Sequence, residues 1–199
     1  MKQVMDNRGF TLVELAIVLA VAGIIATIAI PNYLKALPKI RVNQAMADVS
    51  GLMIKAKLRA ISENHAYIVV FDTSTNSCRL YKDSDHELDA DAGELLQTVN
   101  IGVLYPGIII NFNVNRDTKG VPFVAPLYRV KFEDLGGTVH ASEVFLPSGS
   151  AMYSGAVYLI PSQDVAASRY DRNRAITVQA MTGFIKTWSH DNAYDGEWY

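Results

Sequence analysis

The hydrophobic pattern changes twice along the chain, and each stretch predicts a different element. Residues Phe10 to Ile30 read FTLVELAIVLAVAGIIATIAI, apolar except for Thr11, Glu14 and Thr27. As a helix rising ~1.5 Å per residue, this run is about 30 Å long, enough to cross a bilayer core. Further on, Ile40, Ala45, Met46, Val49, Leu52, Met53, Ala56, Ala60 and Ile61 recur at three- and four-residue steps, the period of an amphipathic helix. Lys39, Arg41, Asn43, Lys55, Lys57 and Arg59 fall on the other side. Pro31 and Pro38 are expected to kink or loosen this helix. A helix from Thr11 to Ser62 would measure on the order of 75 Å, too long for a compact domain of this size, so its first half is expected to project.

After Asn64 the period becomes two, or gives way to short apolar runs bounded by turn residues. AYIVVFD (66–72) and SCRLYK (77–82) flank TSTN and predict a hairpin. Further strands are predicted at 94–101, 107–114, 126–132, 143–147, 156–161, 175–180 and 184–188, with a turn at Met181-Thr182-Gly183 before the last. The fold class is therefore α+β: a long N-terminal helix packed by its C-terminal half on an antiparallel β-sheet domain of about eight strands.

Composition narrows this only slightly. Half of the 199 residues are hydrophobic, a share inflated by the apolar run, and the chain beyond residue 40 suits one globular domain. A net charge of -2 does not advertise a nucleic-acid partner. Cys78 is the single cysteine, so no intramolecular disulfide forms. Lys2 and Arg8 with one acid, Asp6, make the first eight residues net positive. The positive-inside rule then keeps that end cytoplasmic and sends the chain after residue 30 across the membrane. The apolar run is too long for the core of a cleavable secretory signal, and the small residue that looks like a cut site, Gly9, precedes it.

Glu14 is the informative exception. An ionised carboxylate in such a segment costs roughly 2–4 kcal/mol at mid-membrane, and the segment supplies no Lys or Arg. Cleavage after Gly9 would create a partner, the freed amine of Phe10, one helical turn from Glu14.

The stretch Gly9-Phe10-Thr11-Leu12-Val13-Glu14, with its apolar helix and Pro31, resembles the processing site of type IV pilins and type II secretion pseudopilins. The remainder is similar to the GspH/FimT-type minor pseudopilins. The stem carries Arg41-x-Asn-x-Ala45, Leu52, Lys55-Ala56, Ala60-Ile61 and Asn64, and a first strand ends in Phe71-Asp72. Phe145-Leu-Pro147-Ser-Gly149 and Ile176-Thr-Val178 … Thr182-Gly183-Phe184 resemble that group's C-terminal strands. Where members often place a basic residue after the last glycine, this chain has Phe184, with Lys186 two positions on. That departure weakens the DNA-binding C-terminus known for some members.

The resemblance implies a cleaved leader at 1–9, a transmembrane and assembly helix at 10–30, its amphipathic continuation at 31–64, a periplasmic β-rich domain at 65–188 and a polar aromatic tail at 189–199. It implies cutting between Gly9 and Phe10 by a prepilin peptidase, N-methylation of Phe10, and assembly in which Glu14 meets a mature amine. The implied location is the bacterial inner membrane, single-pass, and then a periplasmic or surface filament. The implied partners are the peptidase, other pilin or pseudopilin subunits, an inner-membrane assembly platform and lipid. Ala16/Ala20, Ala22/Ala26 and Gly23/Thr27 form small-xxx-small faces, which occur both in packed and in ordinary membrane helices.

Other chemistry is weakly signalled. Asp83, Asp85, Glu87, Asp91 and Glu94 fall at positions 1, 3, 5, 9 and 12 of a calcium-loop register. Leu88 replaces the glycine that the sharp turn needs, and the flanks read as strands, which favours a solvated acidic loop facing Lys55, Lys57 and Arg59. Arg169-Tyr-Asp-Arg172-Asn-Arg174 could touch a phosphate backbone, although such a loop is more often a surface turn. Cys78 reads as a buried structural thiol. His65, His86, His140 and His190 are scattered, and no nucleophile elbow, P-loop or dinucleotide fingerprint is present. Nothing proposes a catalytic residue, metal or cofactor. The reading is a non-enzymatic minor pseudopilin-like subunit of a type II secretion pseudopilus or type IV pilus. The alternatives are a filament-tip module binding DNA or a surface, and a major pilin.

Overall fold

The computed structural model describes residues 10–110, 130–133, 139–167, 169 and 171–190. The chain divides into two compact units, residues 1–37 and 38–199. Helix α1, Leu12–Glu63, contributes to both. Thr11 opens it: its hydroxyl accepts from the Glu14 amide at 3.2 Å, and its carbonyl accepts from the Leu15 amide at 3.1 Å. Asn64 closes it in the left-handed region, φ 53°, a conformation asparagine tolerates at a helix end. The helical run is unbroken through Pro31 and Pro38.

In the second unit the helix buries Val42, Ala45, Val49, Leu52, Met53, Ala56 and Ala60. Two members of the expected stripe are not on it. Ile40 and Ile61 are 44% and 49% exposed. Nine residues make about two and a half turns, so Ile40 stands across the helix from Val49 and Ile61 across from Leu52. Val42, not singled out by the spacing, takes the inward place.

The strands form two antiparallel sheets. The first is ordered β3-β2-β1-β7, from β1 Tyr67–Asp72, β2 Ser77–Lys82, β3 Leu95–Asn100 and β7 Ser142–Phe145. The second is ordered β10-β9-β8-β5-β6 with β4 also paired to β8. Its members are β4 Ile108–Ile110, β5 Val130–Glu133, β6 Val139–His140, β8 Ser154–Pro161, β9 Arg174–Gln179 and β10 Phe184–Ser189. One core cluster joins α1 to both sheets, with Met53, Tyr67, Leu80, Phe132, Phe145, Leu159 and Ile176 among its fully buried members.

The expected hairpin forms, with Tyr67 opposite Lys82 and Asp72 opposite Ser77. Asp72 shapes its turn by accepting from the Ser74 and Thr75 amides at 2.9 and 3.1 Å. Asn76, at φ 52°, ties that turn to the second sheet: its amide group donates to Ile108 O at 2.7 Å and accepts from the Ile110 amide at 2.8 Å. The predicted strand 94–101 stops at Asn100, whose side chain accepts from the Val103 amide at 3.1 Å and opens helix α2, Ile101–Leu104. Helix α3, Ser162–Ala167, and the two-residue β6 have no counterpart in the expectation. Residues 111–114 and 126–129 of two predicted strands lie outside the described residues.

Candidate functional site

The site implied by the sequence is the start of α1. Gly9 and the leader lie outside the described residues. Phe10 is 81% exposed, and Thr11 and Glu14 are exposed beside it. Thr-x-x-Glu is the pattern of a capping box, in which a threonine holds the amide three residues on; here that bond is seen, Glu14 N to Thr11 Oγ1. The signal was readable in the sequence and was missed. It gives Glu14 a local role: a carboxylate in the first helical turn complements the partial positive charge of the free amides there. Among the described residues no basic side chain forms an ion pair with Glu14.

The rest of the apolar run is largely exposed among the described residues. Leu12, Ile17, Leu19, Ile24, Ile28 and Ile30 are each more than half exposed. The helix is long and apolar enough to cross a membrane. Thr27 turns its hydroxyl back onto Gly23 O at 2.8 Å, which satisfies that hydroxyl within the apolar run.

The acidic loop does bring three carboxylates together. Ligand oxygens of Asp83, Asp85 and Glu94 lie within 4.8 Å of one another. Asp83 is buried and accepts from the His86 amide at 2.8 Å; Glu94 accepts from the Ser84 amide at 2.5 Å. Those are the first, third and twelfth positions of the register; Glu87 and Asp91 are not part of the group. A strand and a single 3-10 turn, Ala92–Glu94, flank the loop in place of helices. Nor does the loop meet the stem as expected. Lys55 donates to Gln97 Oε1 at 2.5 Å, and Lys57 donates to the carbonyls of Thr182 and Gly183, both at 3.0 Å.

The arginine cluster is not a surface for phosphate. Arg172 and Arg174 are buried. Arg172 forms a two-pronged ion pair with Asp164, itself fully buried on α3. Arg174 donates to Asn43 Oδ1 on α1 at 2.8 Å. Arg169 is left at the surface, 3.9 Å from Asp171. The pairing of Arg172 with an acid eight residues earlier is invisible to a reading that scans for basic runs. Cys78 is fully buried, and burial pushes its thiol up to about 12, which makes it inert at neutral pH.

Comparisons with known proteins bear on the N-terminal segment first. Residues 4–30 match the family described as the prokaryotic N-terminal methylation motif. The chain is 45% identical over 51 residues, 26% of its length, to the type IV major pilin protein PilA of Myxococcus xanthus. It is 46% identical over 51 residues to a fimbrial protein of Pseudomonas aeruginosa. The aligned stretch spans about a quarter to a third of the length of these relatives, 23% and 33%. A longer alignment, 28% identical over 57% of this chain and 67% of the relative, joins it to the type IV major fimbrial protein FimA of Dichelobacter nodosus. Among solved structures, the minor pseudopilin EpsH of Vibrio cholerae superposes with a TM-score of 0.47 at 12% identity, covering 75% of this chain and 97% of that one. The chain thus carries the prokaryotic N-terminal methylation motif and is similar, over part of its length, to type IV pilin and fimbrial proteins.

Proposed function

We propose that the chain is a structural subunit of a helical filament, a minor pseudopilin of type II secretion or a minor pilin of a type IV pilus. The observation that carries this is the placing of Glu14: an acid in the first turn of an exposed apolar helix, beside Phe10, with no described cation to meet it. A prepilin peptidase cuts after Gly9, Phe10 is methylated, and the subunit waits in the inner membrane with its β domain in the periplasm. Two unit charges about 4 Å apart attract by ~4 kcal/mol at an effective dielectric of 20, and desolvation takes back part of that. A docked subunit satisfies the pair, while a misaligned one leaves Glu14 unpaired in apolar surroundings. The pair therefore sets register, and helix packing supplies most of the attraction.

The minor-subunit reading is supported by the two C-terminal motif stretches, which lie against each other and the stem. A side chain on Gly183 would meet Gly149 O at 2.4 Å, and Lys57 holds the Gly183 carbonyl. The competing reading, a major pilin, is favoured by the names of the curated relatives PilA and FimA. Purifying intact filaments and counting copies of this chain per filament separates the two: a few copies support a minor subunit, and one copy per repeat supports a major pilin. Mass spectrometry of the same filaments tests the processing. A mature chain beginning at N-methylated Phe10 is expected, and an uncut leader in a working filament overturns the proposal.

A further inference from the structure

A cavity of about 110 Å³ opens where α1 enters the second unit. Pro38 and Arg41 of α1 line one side, the turn at Pro106 and Gly107 another, and Ser162 and Gln163 at the start of α3 a third. Arg41 donates to Pro106 O at 2.9 Å, which uses one of the five N–H donors of its guanidinium. The Ser162 amide donates to Gly107 O at 2.7 Å and ties the turn to the start of α3. Gly107 takes φ 87°, and a Cβ built there would touch the Ser162 hydroxyl at 3.9 Å. The lining therefore offers a guanidinium, a hydroxyl and a primary amide, and no carboxylate. The acids on the same two helices are engaged elsewhere, Asp48 by the Tyr105 hydroxyl and Asp164 by Arg172. Donors of this kind without an acid among them select an anion, and a guanidinium suits the oxygens of a phosphate best. The volume admits one small tetrahedral group.

The sequence around the cavity points to the source of that phosphate. Residues 31–47 hold Lys35, Lys39 and Arg41 and no acid. Among the described residues, no carboxylate forms an ion pair with Lys39 or Arg41. Basic residues this close to a membrane span are usually kept on its cytoplasmic side. In the topology proposed above they lie on the far side, where an anion must hold them. Tyr33 and Leu34 are 60% and 58% exposed, and tyrosine favours the level of the lipid headgroups. From Leu34 to Arg41 is seven residues, ~10 Å of helix, against a headgroup layer about 5–7 Å deep. The long stem of arginine helps to span the difference. We infer that this cavity binds the phosphate of an anionic phospholipid headgroup, with Arg41 meeting the charge and Ser162 and Gln163 the oxygens. The inference rests on the reading that places residues 10–30 in a membrane. A lipid of net negative charge is favoured, because the ammonium of a zwitterionic headgroup would face Lys39 and Arg41. The bound lipid holds the domain against the bilayer while the subunit waits, and its release accompanies departure into the filament.

The test uses the full-length subunit in detergent, titrated with phosphatidylglycerol or phosphatidylcholine, with bound lipid read by native mass spectrometry. Phosphatidylglycerol should bind the more tightly. Arg41→Gln should weaken its binding about fivefold, the effect of one basic group beside anionic lipid. Ser162→Asp is a second variant: an acid suits the first turn of a helix, so the chain should fold, and the added charge should expel the phosphate. Arg59→Gln, further along α1 and outside the lining, should bind as the parent does. Circular dichroism checks folding, and if Arg41→Gln does not fold, Ser162→Asp decides alone. Equal binding of the two lipids, or unchanged phosphatidylglycerol binding in a folded cavity variant, overturns the inference. Displacement of the lipid by inorganic phosphate at matching concentration also overturns it, since the cavity then takes a free anion. A chain that alkaline carbonate washes out of membranes overturns the membrane reading as well. One that stays in the membrane yet shows no lipid preference overturns the inference alone.

Discussion

Two carboxylates show what single residues do here. Glu14 stands in an exposed apolar helix, and Glu143 is fully buried on β7. Glu143 accepts from the Val144 amide at 3.1 Å and the Tyr153 amide at 3.0 Å, and its other oxygen has no described partner. Burial pushes its carboxyl up to about 8. The folded chain therefore keeps this proton between the ordinary glutamate range and pH 8, while the unfolded chain loses it. Stability falls as pH rises through that window. Glu143→Gln keeps an acceptor for both amides and removes the charge; urea midpoints measured at pH 5 and pH 8 should differ less for the variant than for the parent. For Glu14→Ala the expected outcome is normal cleavage and methylation with assembly blocked or weakened, read by mass spectrometry of the subunit and by filament yield. The role proposed for Glu14 was legible from one line of sequence, because a lone acid in twenty apolar residues has few explanations. That of Glu143 was not, since its neighbours in space come from a turn beyond it and no local pattern marks an acid as buried.

Among the elements, the long helix and the β1–β2 hairpin were readable because each carries a strong period and clear end signals. α3 has six residues, too few to show a helical repeat. β3 ended a residue early because Asn100 could cap a helix as well as extend a strand. The arginine cluster was misread for a related reason. Asp164 and Arg172 face each other across a loop, and only the fold shows that both are buried. Arg172→Ala should cost about 3–5 kcal/mol by denaturant unfolding, because Asp164 is left without its counter-charge; replacing both by apolar residues should restore most of the loss. Turn positions make a second test. Gly183 has φ 56°, and a methyl there would sit 2.4 Å from Gly149 O. Gly183→Ala should therefore destabilise the β domain by about 2–4 kcal/mol, read as a lower urea midpoint with an unchanged slope.

For the whole molecule, sequence and structure divide the work. The processing and membrane signals are one-dimensional and stood in the first thirty residues. The path by which the helix is fastened to the sheets is three-dimensional and came only from the structure. The side-chain ties that connect α1 to distant parts of the second unit include Arg41 to Pro106, Asn43 to Arg174, Asp48 to Tyr105, Lys55 to Gln97 and Lys57 to the β9–β10 turn. In the filament proposed above, a load along the helix axis reaches each subunit through α1. These ties enter β3, β9, the loop before β4 and the last turn, so they share a sliding load in parallel and do not peel away one after another. Stretching a single subunit between Asn43 and Thr182 should give one abrupt rupture at high force. A staircase of small releases would mean that the helix slips along its cradle, and the domain would then act as a shock absorber where this fastening makes it a rigid strut.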